Sequence, residues 1–254
     1  MINMSPELAE ICGIHTGDGY LRIRERGKGE LDISGHLEER EYYDNYVIPL
    51  INKVFKLNLN GRVFSRGTYG FVLYNKRIAE FLNGLGFPLG KKSKIVKVPE
   101  LILKSKNKTL YAKFLRGLFD TDGCLHFSNR KTISLYSKFK RTYHYYPIIR
   151  FTTISKLLSK QIIFLLEDLG FNKVRIHSYQ PKDLRDSRKY IIYMSGKEML
   201  LKFFKEVESM NPVKYSRFKI WKKFGFCPPH TTLQQRKDIL NDKLDIYSIY
   251  GHIV

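Results

Sequence analysis

The feature that most constrains the fold is a short stretch written twice. Ile11-Cys12-Gly13-Ile14-His15-Thr16-Gly17-Asp18-Gly19 aligns with Leu115-Arg116-Gly117-Leu118-Phe119-Asp120-Thr121-Asp122-Gly123, so Asp18 and Asp122 lie 104 residues apart. Gly13 and Gly17 are four positions apart, as are Gly117 and Thr121. At helical spacing each pair shares one face, and small residues there let two helices meet backbone to backbone. Gly19 and Gly123 are expected to end these helices in the left-handed conformation, leaving Asp18 and Asp122 in the last turn. Packing the two helices together then brings two carboxylates close at helix C-termini, which both like-charge repulsion and the helix dipole oppose. A divalent cation held between them removes the conflict, and hard oxygen ligands suit Mg²⁺.

The similarity extends beyond the motif. Each copy is followed by a strand-like run, a second strand (Glu30–Gly35 and Tyr146–Thr153) and a helical stretch (Leu37–Phe55 and Ser155–Leu169). Hairpin-like pairs come next, Leu57–Arg66 with Tyr69–Tyr74 and Asn172–Tyr179 with Lys189–Met194. Helical runs close the units at Lys76–Leu85 and Lys197–Ser209. The expected fold is therefore α+β: two pseudo-symmetric αββαββα units, each with an antiparallel sheet. The division reads 1–97 for the first unit, 98–107 for a linker opened by Val98-Pro99, 108–226 for the second unit, and 227–254 for a tail with one helical run, Gln234–Leu244. Asn129–Tyr146 is longer than its counterpart and rich in Lys, Arg and Tyr, as a basic surface extension would be.

Charge supplies the partner class. The 254 residues carry 45 Lys and Arg against 24 Asp and Glu, a net +21 that points to a polyanion. Part of it alternates at strand period: Arg22, Arg24 and Arg26; Arg62 and Arg66; Lys173 and Arg175. Strands with this pattern turn cations to one open sheet face and apolar residues to the other. No apolar run is long enough to span a bilayer, and three cysteines make no disulfide framework, which favours a reducing, intracellular (cytoplasmic) location. Cys227-Pro228-Pro229-His230 lacks the second pair of a zinc site, and no G-x-x-x-x-G-K-[ST] loop points to ATP.

With these residues in view, the chain resembles the LAGLIDADG homing endonuclease family in its single-chain, two-motif form. The copy at 115–123 is a close match, whereas the copy at 11–19 has Thr16 where the motif's first Asp usually stands. The element order matches the family's unit along residues ~5–225. The resemblance implies two sheets forming a basic saddle over duplex DNA, with central acids and metals cutting both strands to leave short 3′ overhangs. It implies Asp18 and Asp122 as catalytic metal ligands, with Gly17 and Thr121 beside them, and Mg²⁺ as the cofactor (Mn²⁺ or Ca²⁺ can occupy such a site). It also implies one lysine per half near the site. Lys214 is offered in the second half and Lys92, from the Lys–Ser alignment, in the first, ahead of Lys94 and Lys97.

Base reading is expected from Arg22, Arg24, Arg62, Arg66, Arg150, Lys173 and Arg175, with Arg26 among the DNA contacts. Asp120 is expected to be structural because its counterpart is Thr16, His15 to lie on the helix surface, and His36 to stand near the metal site. The expected activity is a metal-dependent double-strand break at a long asymmetric target by a monomer, more plausibly free-standing and intron-encoded than an excised intein. Rival readings are an intron RNA maturase on the same fold, with host intron RNA as partner, and a non-cleaving DNA-binding regulator.

Overall fold

The computed structural model describes residues 3–24, 28–64, 67–129, 143–183 and 185–252. The first unit runs α1 (Pro6–Asp18), β1 (Gly19–Ile23), β2 (Gly29–His36), a helical segment, β3 (Arg62–Phe64), β4 (Thr68–Tyr74) and α4 (Lys76–Gly84). The second runs α6 (Lys108–Asp122), β5 (Cys124–Ser128), β6 (Tyr146–Thr153), α7 (Lys156–Asp168), β7 (Arg175–Tyr179), β8 (Lys189–Ser195) and α8 (Lys197–Glu206). Each unit holds a four-stranded antiparallel sheet of the same topology, β1-β2-β4-β3 and β5-β6-β8-β7. The repeated αββαββα order is thus the order of the fold. The region read as linker contains a short helix, α5 (Glu100–Lys104).

Alternation along the strands decides which sheet face is covered. Leu21, Leu31, Ile33 and Phe71 in the first sheet, and Leu125, Ile149, Phe151, Ile192 and Met194 in the second, are buried beneath helices. The opposite faces carry Tyr20 and Arg22 on one sheet and Thr152, Arg175 and His177 on the other, all exposed.

The two units meet through α1 and α6. Ser5 caps α1 by accepting from the Leu8 N–H with Pro6 in the first turn, and Asn107 caps α6 by accepting from Thr109. Every residue from Leu8 to Thr16, and from Phe114 to Asp120, is buried. A helix covered on all sides belongs to the core of the whole molecule, which explains why the motif is apolar all round. The glycines permit the approach. A Cβ on Gly13 would lie 2.1 Å from the Phe114 carbonyl oxygen, and one on Gly117 2.3 Å from that of Glu10. Gly17 faces Thr121, whose hydroxyl would be 2.1 Å from an added Cβ.

Two expectations are corrected by the packing. Gly19 and Gly123 end their helices in extended conformation, with φ of −81° and −74°, not left-handed. Glycine is required there for space: an added Cβ would stand 2.0 Å from His15 Nδ1 and 2.4 Å from Phe119 Cδ2. His15 therefore lies in the core, edge-on to Phe87 at 4.5 Å, as the counterpart of Phe119 and not on the helix surface. The helical run expected after 227 is present and packed against the rest of the molecule. Leu233–Leu240 forms α10, which packs on α9 (Pro212–Phe224) and reaches the first unit through Glu38, an acceptor for the Leu233 N–H, and Glu41, paired with Lys237.

The helical segment after β2 is also less regular than one helix over 37–55. A 3₁₀ turn at Leu37–Glu39 leads through α2 (Arg40–Tyr42) and a π-helical turn at Tyr43–Val47 into α3 (Ile48–Phe55). The widened turn lets Tyr43, Asp44 and Tyr46 each find a separate polar partner.

Gly13→Ala and Gly117→Ala are each expected to cost about 1–3 kcal/mol or more, because the added methyl meets main chain that cannot turn aside. Gly84→Ala, where an added Cβ meets nothing within 4 Å, is the control; it should be neutral or gain about 0.5–1 kcal/mol from helix propensity. Denaturant titration of the three variants checks this, and equal losses would contradict the packing account.

Candidate active site at the ends of the paired helices

The close approach of α1 and α6 sets Asp18 and Asp122 in their last turns side by side, and the two lysines complete a pseudo-symmetric arrangement. Lys92 Nζ donates to the carbonyl oxygens of His15 and Gly17, at 2.7 and 2.6 Å. Lys214 Nζ donates to those of Phe119 and Thr121, at 2.5 and 2.7 Å. The four acceptors are equivalent positions of the two motifs, so each lysine caps the carbonyl end of its own unit's helix. A cation there answers the orphan carbonyls and the negative end of the dipole together. Of the first-half lysines, Lys92 is the one buried at this place, whereas Lys97 pairs with Glu100 at 3.6 Å and Lys94 is exposed.

The surroundings load the groups against one another. Burial raises the Asp18 carboxyl to about 7; the Tyr43 hydroxyl pulls the other way, and the Asp122 and Glu39 carboxylates add to the rise. Asp122 is more open and is also raised by the protein around it, while Lys92 and Lys214 draw it back. Burial lowers Lys92 to about 8 and lowers Lys214 as well, opposed by the nearby acids. Asp120 behaves as a structural residue: fully buried, it accepts from Ser209 Oγ at 2.5 Å and the Met210 N–H at 2.7 Å.

The donor chemistry fits a hard divalent cation. Two carboxylates and the Gly17 and Thr121 carbonyls, each with a lone pair beyond the one its lysine uses, converge at two negative helix ends. Among the described residues no group of three or more His, Cys, Asp or Glu side chains is arranged to hold a metal. Water and a phosphate oxygen would therefore fill the remaining positions, as Mg²⁺ prefers.

Two groups near the site gave little sign in the sequence. Tyr43 Oη donates to Asp18 Oδ2 at 2.6 Å, and Glu39 stands beside them. Farther along the helix pair, Arg116 holds Glu10 by a two-pronged pair, with Nε to Oε1 at 2.7 Å, and also reaches Tyr46 Oη and Glu208, each at 2.7 Å. A charged residue inside each apolar motif region was the available signal for that staple. His36 caps the 3₁₀ turn by accepting from the Glu38 N–H at 3.2 Å.

The residues expected to contact DNA are distributed unevenly. Arg22 and Arg62 are exposed on the open face of the first sheet, with Glu30 and Asp32 of β2 between them and Arg24 paired to Glu30 at 3.0 Å. Arg150 and Arg175 flank Tyr193 on the open face of the second sheet. Lys173 precedes β7 and pairs with Glu198 of α8 at 2.8 Å. Arg26, Arg66 and most of the basic extension after Asn129 lie outside the described residues.

Comparison with known proteins bears on the fold. Residues 109–208 match a family model described as a LAGLIDADG-like domain. A structure of mesophilic variants of the homing endonuclease I-DmoI superposes with a TM-score of 0.50 at 14% identity, over 80% of this chain and 95% of that one. The meganuclease I-CpaMI bound to uncleaved DNA aligns over 97% of this chain and 95% of that one, with a TM-score of 0.44 and 12% identity. A curated relative, the ATP-dependent DNA helicase Hel308 of Thermococcus kodakarensis, is 25% identical over 227 residues. The match covers 86% of this chain but only 18% of that protein. Residues 109–208 thus match a LAGLIDADG-like domain, and the chain shares its fold with the homing endonuclease structure. Among the described residues no helix is long and apolar enough to cross a membrane.

The raised Asp18 carboxyl has a consequence for stability. Its folded state holds the proton more tightly than the unfolded chain, so the cation-free protein loses stability as pH rises from about 4 to about 7. In EDTA, Asp18→Asn should melt above the wild type at pH 8, with the difference closing toward pH 4. A difference that ignores pH, or a less stable variant at pH 8, would contradict the burial argument.

Proposed function

We propose that the protein is a site-specific endonuclease that makes a divalent-cation-dependent break in both strands of duplex DNA at a long, asymmetric target. The observation that carries this reading is the paired site: two carboxylates in the last turns of two packed helices, each helix end capped at equivalent carbonyls by a lysine from its own unit, between two sheets with cationic open faces. Paired groups on a pseudo-twofold axis match a substrate with two antiparallel strands. Unequal units do not require a palindrome, and one chain supplies both halves, so a monomer suffices.

Asp18 and Asp122, with the Gly17 and Thr121 carbonyls, would hold Mg²⁺, or Mn²⁺ or Ca²⁺ in its place. When bound, such an ion supplies charge stabilisation at the scissile phosphate and a water activated for attack. The chain's own groups do the rest. Each lysine spends two of its three donors on main-chain carbonyls, which fixes the ammonium and leaves one N–H for the phosphate or its attacking water. The lowered Lys92, near 8, lets Nζ release or accept a proton close to neutral pH. Arg22, Arg62, Arg150 and Arg175 supply cations toward phosphates and guanine edges, while Asp32 offers an acceptor suited to a cytosine amino group. A DNA substrate places the protein inside the cell. The chain spans only 18% of the helicase it matches, so the helicase activity belongs to that protein alone.

The test is cleavage of a duplex library carrying randomised inserts in Mg²⁺, with the ends of cut molecules sequenced. The wild type should return one family of sites broken in both strands. Asp18→Asn and Asp122→Asn should each reduce cutting by about 10²-fold or more while leaving binding largely intact. Affinity should fall by about 10³-fold or more between 50 and 200 mM salt, as phosphate contacts require. Specific binding without cleavage at any Mg²⁺ or Mn²⁺ concentration would sink the nuclease reading and leave a DNA-binding regulator. Tight binding confined to structured intron RNA would favour a maturase.

A further inference from the structure

The two carboxylates have different neighbours. Asp18 Oδ2 accepts the Tyr43 hydroxyl at 2.6 Å, and the Tyr43 ring is fully buried, edge-on to Tyr42 and Tyr69 at 5.8 and 6.3 Å. The Glu39 carboxylate joins them. A Cβ placed on Gly35 would lie 2.8 Å from Asp18 Oδ2, 2.9 Å from Glu39 Oε2 and 2.9 Å from Tyr43 Oη, so the three groups converge over that glycine. Glu39 is itself held from the second unit, by Asn211 Nδ2 at 2.7 Å. Beside Asp122, the helix after β6 presents Leu158 and Ile162, which line a pocket of about 320 Å³ with Asp122 and Thr153. Among the described residues nothing donates to the Asp122 carboxylate, which is more open to solvent than Asp18 and faces Lys92 and Lys214. The pseudo-symmetry of the motifs thus stops one layer out.

We infer that Tyr43 is a positioning residue for one half of the site, fixing the rotamer of Asp18 so that its second oxygen faces the cation and the strand it serves. This rests on the nuclease reading above. Asp122 has no such donor and would adjust to its strand without that constraint, so its half would serve its strand first and the Asp18 half second, with duplex nicked in one strand preceding the double-strand break. The hydroxyl is the relevant atom, because a phenylalanine ring keeps the packing and loses only the hydrogen bond.

Two readouts test this. In single-turnover cleavage with each strand labelled separately, the wild type should accumulate nicked duplex. Tyr43→Phe should slow the second strand by about tenfold or more, while the first stays within about twofold. The second readout is Tb³⁺ luminescence without DNA. Tyr43→Phe should weaken Tb³⁺ binding by about tenfold in an Asp122→Asn background, where only the Asp18 half remains, and change nothing in an Asp18→Asn background. Equal slowing of both strands, no slowing, or equal Tb³⁺ effects in both backgrounds would overturn the assignment. If the wild type cuts neither strand, the nuclease reading fails and the Tb³⁺ comparison alone decides the role of Tyr43.

Discussion

Everything at the centre of this molecule depends on how closely α1 and α6 approach. Gly13 lies against the main chain of Phe114 and Leu118, and Gly117 against that of Glu10 and Ile14, at separations no side chain would allow. Because the two helices form the core shared by both units, their crossing also fixes where each sheet stands. Helix ends that carry Asp18 and Asp122 are set by the same contact. The Arg116–Glu10 pair, almost wholly buried, fixes the register of that crossing. Such a pair adds little net stability over an apolar one, but breaking it leaves a buried charge and costs about 3–5 kcal/mol.

Packing two helix C-termini together concentrates negative charge, and the structure answers it in layers. Lys92 and Lys214 occupy the carbonyls of each last turn, satisfying acceptors that the helix leaves open. Burial above all, with the neighbouring Asp122 and Glu39 carboxylates, holds the Asp18 carboxyl up at about 7. The site's lysines differ from surface lysines in being buried and hydrogen-bonded on two sides, and that is the physical basis for giving them a role.

Much of this was legible in the residues. Two copies of a glycine-rich motif, each opening the same sequence of periodicities, required a duplicated αββαββα unit, and the glycine spacing required close helix contact. The Lys–Ser alignment singled out Lys92 among neighbours of equal chemistry. What stayed hidden depended on contacts distant in sequence. His15 reads as polar until Gly19 and Phe87 are seen to enclose it. Tyr43 reads as one tyrosine among 17, and only the π-helical turn aims it at Asp18. Gly19 and Gly123 were required, but by the side chains behind them and not by backbone handedness. Arg236 and Glu38 are nearly 200 residues apart in sequence, so no local pattern predicts that α10 rests on the first unit.

The central claim is that the contact of α1 and α6 sets Asp18 and Asp122 side by side as the cation-binding carboxylates of the two halves. Anomalous scattering from crystals of the protein with duplex DNA and Mn²⁺ tests it most directly. Manganese is expected at the helix ends, bound to oxygens of both carboxylates, with that density lost in the Asp18→Asn, Asp122→Asn double variant. Manganese bound only elsewhere, or the same central density without the two carboxylates, would contradict it.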